Sequence, residues 1–248
     1  MAQLRVTVAS YNIHIGIGRD GQFAPQRTAS VLQELHADII ALQEVQLGSP
    51  GFNMFEYLRT GTGLHGIARP TLTHPVHGDY GNALLTRHRV KTVQTVDLTV
   101  AGHEPRSALD VILDCDGAPL RVLATHLGLH PRERRTQVRR LLDAIDATAF
   151  DAPTVLAGDV NEWFLWGRPL RWLHRHFSAT PAPRTFPAGR PMFALDRVWV
   201  RPRSYLQEVR AHASELSRLA SDHLPIVAQL CSEPRRQRED TAAPRARG

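Results

Sequence analysis

The sequence predicts a sheet-rich α+β fold in one domain, and three observations predict it. Eleven short apolar runs, rich in Val, Ile, Leu and Thr, recur along most of the 248 residues at a spacing that suits strands. Helical periodicity interrupts them in three places only. No repeat, linker or shift of composition divides the chain before a polar, arginine-rich end. The elements follow in order. Strand-like runs fall at 4–10, 38–43, 64–72, 80–87, 90–99, 107–114, 119–125, 153–158, 194–200, 205–212 and 223–230. A first helix is expected over 25–36, around SVLQEL. A second, over 131–147, starts at Pro131 and carries Val138, Leu141, Leu142 and Ile145 along one face. A third is expected over 168–177, in RPLRWLHRHF.

Composition bounds what such a domain does. Apolar content of 42% and charged content of 22% are ordinary for a soluble globular protein. The two cysteines, Cys115 and Cys231, are too few for a disulfide scaffold and lack metal-ligand spacing. No apolar run approaches the length of a membrane span, and the first residues do not read as a signal peptide. A cytoplasmic monomer with no obligate protein partner is expected. The net charge is +6, and Lys91 is the only lysine, so guanidinium supplies nearly all the positive charge. Arginine forks suit phosphate, although arginine richness also follows from genome composition. Part of the charge lies in EPRRQREDTAAPRARG, which is expected to be a disordered basic tail over 233–248, leaving a domain at 1–232.

The apolar runs have an unusual habit: they end or begin on polar groups. Asn12 follows LRVTVASY, Glu44 follows DIIALQ, His126 follows LRVLAT, and Asp159 with Asn161 follows PTVLAG. Asp196 sits at the start of LDRVWV, and Asp222-His223 opens the last run. Strand ends deliver such groups to the rim of a sheet, where burial is costly unless they are paired or bind a metal. Repetition of the pattern points to an assembled site. The Gly16–Gly21 segment spells GxGxxG, but residues 12–14 separate it from its strand and Pro25 delays the next helix. It reads as a loop rather than a dinucleotide turn. His65, His74, His77 and His88 show no ligand spacing and are expected on the surface or in loops.

The motifs YNIH (11–14), LQEV (42–45), GNALLTR (81–87), ATHLGL (124–129), GDVNEW (158–163), LDRVWV (195–200) and SDHLP (221–225) stand in this order. Together they resemble the endonuclease/exonuclease/phosphatase family, which includes deoxyribonuclease I-like nucleases, neutral sphingomyelinases and inositol polyphosphate 5-phosphatases. The resemblance spans residues 4–230. It implies a four-layer α/β/β/α sandwich with its site at one rim, hydrolysing phosphate esters with Mg²⁺, or Mn²⁺ in its place. An oxygen-ligand cation that keeps several waters needs only one or two carboxylates. On this resemblance Glu44 is the principal metal ligand, with Asn12 and Asp222 on the same metal side. Asp159 orients or deprotonates the attacking water, and Asn161 positions it or the phosphate. Asp196 holds the imidazole of His223, which is a general base or phosphate ligand; the choice of base between Asp159 and His223 stays open. His126 hydrogen-bonds the phosphate or protonates the leaving oxygen. Histidine there, where the abasic-site endonucleases carry asparagine, turns the reading away from abasic-site repair.

Asn82 and Arg106 are weaker candidates, for fixing the site and for reaching a substrate phosphate. A strand-turn asparagine and a surface arginine are the alternatives. EWFLWGRPLRWLHRHF mixes three tryptophans with arginines. A helix packing its aromatics into the core is the favoured reading, and a patch meeting an anionic membrane is the other. The expected function is metal-dependent phosphoester hydrolysis, of lipid or nucleic-acid phosphodiesters before monoesters. A nonspecific DNA endonuclease and a catalytically silent binding module are the alternatives.

Overall fold

The computed structural model describes residues 3–48, 51–74 and 78–232, without the His74 side chain. The predicted tail over 233–248, and His77, lie outside the described residues. All eleven runs form strands: β1 (Arg5–Asn12), β2 (Ile39–Gly48), β3 (His65–His74), β4 (Gly78–Thr86), β5 (Arg89–Asp97), β6 (Ser107–Cys115), β7 (Ala118–His126), β8 (Thr154–Asp159), β9 (Asp196–Arg201), β10 (Leu206–Ala211) and β11 (Ile226–Cys231). The three expected helices are α1 (Pro25–Glu34), α3 (Pro131–Asp146) and α4 (Arg168–Phe177). Two more were not expected, α2 (Met54–Thr62) and α5 (Glu215–Ala220). Both are short. Each is started by a side-chain cap, Asn53 accepting from the Glu56 N–H and Ser214 from the Ser217 N–H.

The strands form two sheets, ordered β10-β11-β1-β2-β4-β3 and β5-β6-β7-β8-β9. Each contains one parallel pair, β1·β2 and β7·β8, closed by the crossover helices α1 and α3. All other pairings are antiparallel.

Three apolar clusters define four layers. Val31, Leu32, Met54 and Leu58 of α1 and α2 pack on Tyr11, Ile40 and Leu42 of the first sheet. Val6, Val8, Ile39 and Leu84 meet Leu109, Val111, Val122, Val155 and Val198 between the sheets. Leu141, Ile145, Leu170 and Leu173 of α3 and α4 cover Leu123, Leu156 and Trp199 on the far side. Each fully buried Val or Leu contributes roughly 1.5–3 kcal/mol relative to exposure. The order is helix, sheet, sheet, helix, as the motifs implied.

Strand parity explains where the site lies. Side chains two apart share a face of a strand. Asn12 therefore continues the row of Val6 and Val8, His126 that of Val122 and Ala124, Asp159 that of Val155 and Ala157. Asp196 precedes Val198 and Val200 by the same step, and Asn82 precedes Leu84. The apolar seam between the sheets ends at one rim in a cap of polar groups.

Candidate active site

Asp159 is the meeting point of that cap. Its Oδ2 accepts the Asn12 amide at 3.1 Å, joining the two sheets, and lies 3.6 Å from Nε2 of both His126 and His223. Its Oδ1 accepts the Asn161 N–H at 2.9 Å. Gly158 makes this closeness possible. Its φ of +154° is one that side chains rarely adopt, and a Cβ there would fall 1.9 Å from the Thr125 carbonyl oxygen. β8 can thus press against β7 only with glycine before the aspartate.

Asn161 is brought to the site by a turn rather than by an extended strand end. β8 stops at Asp159, and Asn161 takes a left-handed φ of +49°. The turn brings its amide to His126 Nε2 at 3.0 Å and to the Leu127 carbonyl at 2.8 Å. On the far side of Asp159, His223 Nδ1 contacts Asp196 Oδ2 at 2.8 Å, and Phe186 packs against the imidazole. His223 and Asp222 stand in the loop before β11, which starts only at Ile226.

These groups are buried, and burial sets their charges. Burial raises the Asp159 carboxyl, against the pull of His223 and with the push of Asp196. Burial works against a charged His223 imidazole, yet the carboxylates of Asp196 and Asp159 together outweigh it and raise its pKa. His126 shares Asp159 at 3.6 Å but has no second carboxylate such as Asp196 hydrogen-bonded to its ring. Burial first, then the charges of Arg106 and His223, hold it well below the ordinary histidine value, so it is neutral. The two imidazoles therefore differ: His223 is a cation held by Asp196, and His126 a neutral hydrogen-bonding group.

Glu44 does not stand at a strand end. It lies inside β2, at an irregularity where pairing with β4 shifts between Leu42 and Val45. By parity it would point with Ile40 and Leu42 toward the helices. A φ of +58° re-aims it instead, and its Oε1 accepts the Asn12 amide at 3.2 Å. Glu44 is half-buried. Tyr80 also hydrogen-bonds this carboxylate; burial and the Glu44 charge push the phenol far above its ordinary value.

Asp222 is half-buried at the edge, 4.0 Å from His14 Nδ1 and bonded by the Ser221 hydroxyl. Asn82 is buried, and its amide donates to the Ser107 carbonyl at 2.9 Å across the sheets. Arg106 is buried rather than a surface arginine, paired with Glu104 at 3.1 Å. Glu44, Tyr80, Asn82, Arg106 and His126 line one small cleft.

Sequence reasoning missed several supporting groups. Thr185 donates to Asp196 Oδ2 at 2.6 Å from a long irregular segment that carries no motif. Ser221 donates to the Asn12 carbonyl and accepts the His223 N–H, and it was legible as the serine of SDHLP. Among the other histidines, His65 is exposed and His88 stands in the β4–β5 turn, a loop position as expected, though buried there. The glycine-rich segment forms a tight loop closed by an Ile17–Phe23 bridge, with the Gly16 position pressed on Met54. The tryptophan segment divides. Leu170, Leu173 and Phe177 of α4 pack inward, with Trp172 beneath Arg139, while Trp163–Trp166 form an exposed loop.

Three comparisons bear on this geometry. The model of the endonuclease/exonuclease/phosphatase family matches residues 9–223. A protein of Escherichia coli K12, the uncharacterised YbhP, is 28% identical over 92% of this chain and 97% of its own length. An endonuclease/exonuclease/phosphatase from Beutenbergia cavernae superimposes with a TM-score of 0.76 at 25% identity, over 91% of this chain and 71% of that one. A mannosyl-6-phosphatase from Bacteroides thetaiotaomicron shares the fold, with a TM-score of 0.73 at 17% identity, over 91% and 99% of the two chains.

Proposed function

This chain belongs to the endonuclease/exonuclease/phosphatase family, and on that footing we propose that it hydrolyses phosphodiesters with a divalent cation, Mg²⁺ before Mn²⁺. The observation that carries the reading is the convergence of Asn12, His126 and His223 on one buried carboxylate, Asp159, at 3.1–3.6 Å. Buried charge assembled at such density is characteristic of catalytic sites.

Asp159 takes the proton of the attacking water, with its carboxylate fixed by Asn12 and the Asn161 N–H. His223, kept charged by Asp196, meets the charge that builds on the phosphoryl oxygens and gives its proton to the leaving oxygen. The proton on Asp159 then passes across 3.6 Å to His223, which restores both groups. His126, neutral, serves as a hydrogen-bond partner of the phosphate and of Asn161 rather than as the proton donor. Arg106 and Asn82 bound the substrate side of the cleft.

The donor set fits a hard cation. Glu44 and Asp222 are the residues that would hold it by carboxylate oxygen, the Glu44 carboxylate half-open beside the cleft. Asn12, whose Nδ2 donates to Glu44 while its Oδ1 accepts the His14 N–H, would fix the Glu44 carboxylate on that side. Asp159, Asp196 and His223 also lie close enough together to ligate an ion. There His223 Nδ1 is already taken up by Asp196 Oδ2, which also accepts the Thr185 hydroxyl, and this favours the Glu44 side. When bound, the cation supplies Lewis acidity toward a phosphoryl oxygen.

The test is turnover of bis-p-nitrophenyl phosphate, supercoiled plasmid and phospholipid vesicles, each with Mg²⁺ or with EDTA. Mg²⁺-dependent turnover of at least one diester, abolished in Asp159→Ala, is expected. No turnover on any of them, or equal turnover by Asp159→Ala, contradicts the reading.

A further inference from the structure

Immediately beyond the catalytic strand the chain turns outward. Trp163, Phe164, Leu165 and Trp166 are consecutive, large, apolar and exposed, rising from 38% exposed at Trp163 to 74% at Trp166. Two neighbours extend the surface. Trp163 packs edge-on against Phe186 and Phe193, whose turn carries exposed Met192, and Phe186 in turn lies on the His223 ring. Leu129, exposed in the loop after His126, is tied to the same base. Buried Arg134 pairs with Glu162 and donates to the Gly128 and Leu129 carbonyls, while Glu162 also accepts the Phe164 N–H. One buried ion pair therefore braces both apolar loops from beneath. Exposed aromatic and aliphatic groups on a fixed base mark an interaction surface rather than a mobile loop.

The charge around this surface says what it meets. Arg168 and Arg171 follow the loop on the first turn of α4, Arg190 stands on the Met192 turn, and Arg19 lies against Gly189 of that turn. Among the described residues none of these four is in an ion pair. An apolar tip with two tryptophans inside a ring of exposed guanidinium groups without acidic partners among the described residues matches the two layers of an anionic bilayer, acyl chains below and phosphates above.

We propose that Leu129, Trp163–Trp166 and Met192 form a foot that seats the protein on an anionic phospholipid surface. The diester brought to Asp159 is then that of a lipid headgroup. The substrate half of this inference rests on the hydrolase reading; the binding half does not.

The experiment is co-sedimentation of the full chain with mixed phosphatidylcholine–phosphatidylglycerol vesicles and with phosphatidylcholine alone, with tryptophan emission recorded. Binding to the mixed vesicles with a blue shift is expected, weakened by salt and by omission of the anionic lipid. Leu165→Asp/Trp166→Asp should lose about tenfold or more in partition, since two apolar anchors are removed. Arg168→Glu and Arg190→Glu should each lose roughly fivefold, on the scale of one basic residue at a charged surface. Thermal unfolding of each variant, read alongside, keeps folding separate from docking. A chain that stays in the supernatant, or a double variant that sediments like the wild type, overturns the foot. A dimer in solution that the double variant abolishes, without vesicle binding, assigns the surface to a second copy and overturns it too. Vesicle binding without any diester turnover contradicts the hydrolase reading alone, whereas turnover of a soluble diester without vesicle binding contradicts the foot alone.

Discussion

The two parallel strand pairs do the same topological work and reach different ends. β1 and β2, joined by α1, bring Asn12 and Glu44 to the rim; β7 and β8, joined by α3, bring His126 and Asp159. In the second pair the register is unbroken, with His126 opposite Asp159, and glycine lets the strands press together. Its carboxylate is buried and surrounded. In the first pair the register is unbroken as far as Asn12 opposite Gln43, but the irregularity of β2 against β4 throws Glu44, the next residue, off its parity and leaves its carboxylate half-open. Regular pairing thus makes a closed, buried carboxylate, and a bulge makes an open one, and on this difference the proposed proton transfer at Asp159 and cation binding at Glu44 rest. The same motif, repeated with one irregularity, yields two environments for a carboxylate.

Variants break or sharpen this contrast, and they rank by expected effect. Asp159→Asn removes the base of the closed half and should lower kcat by about 10²–10⁴, read with bis-p-nitrophenyl phosphate at saturating Mg²⁺. Gly158→Ala forces a Cβ against the Thr125 carbonyl and should cost about 3 kcal/mol or more in denaturant unfolding, as strain at a special φ does. An alanine that cost nothing there would show that the close approach of β7 and β8 is not required. Glu44→Gln keeps the shape of the open half while removing its charge. It should raise the Mg²⁺ concentration for half-maximal turnover by about 10–100-fold, the scale on which metal-site perturbations act, with little change in unfolding. Thr185→Val is the smallest. It takes a hydrogen bond from Asp196, and a loss of about tenfold in kcat with KM unchanged is expected if it positions His223 through that carboxylate. Thr185→Ser, which keeps the hydroxyl, should restore the rate.

The contrast also explains what the sequence disclosed. Regular elements were legible, because period-two burial writes itself into the residues: all eleven runs are strands, and Asn12, His126, Asp159 and Asp196 end or begin them on the inner face. Glu44 was legible as a residue but not in its setting, since nothing local announces a left-handed φ inside LQEV. Asn161 was likewise legible as a residue, but its left-handed turn was not. The start of α2 is signalled by Asn53 and Glu56 at capping distance, but the helix fully buries only Met54 and Leu58, too few to write a helical period into the sequence. Thr185 left none. It reaches Asp196 from an irregular segment whose path depends on packing over the whole rim. The exposed Trp163–Trp166 loop was hidden inside a helical pattern that begins two residues later.

The most direct test of the contrast is metal binding measured without turnover. Mn²⁺ titrated into the wild type, Glu44→Gln and Asp159→Asn, and followed by electron paramagnetic resonance of the free ion, separates the two halves of the rim. The open half is predicted to hold the cation: Glu44→Gln should lose binding, while Asp159→Asn should bind as the wild type does and still hydrolyse nothing. Binding lost in Asp159→Asn and kept in Glu44→Gln would contradict the assignment and place the cation among Asp159, Asp196 and His223.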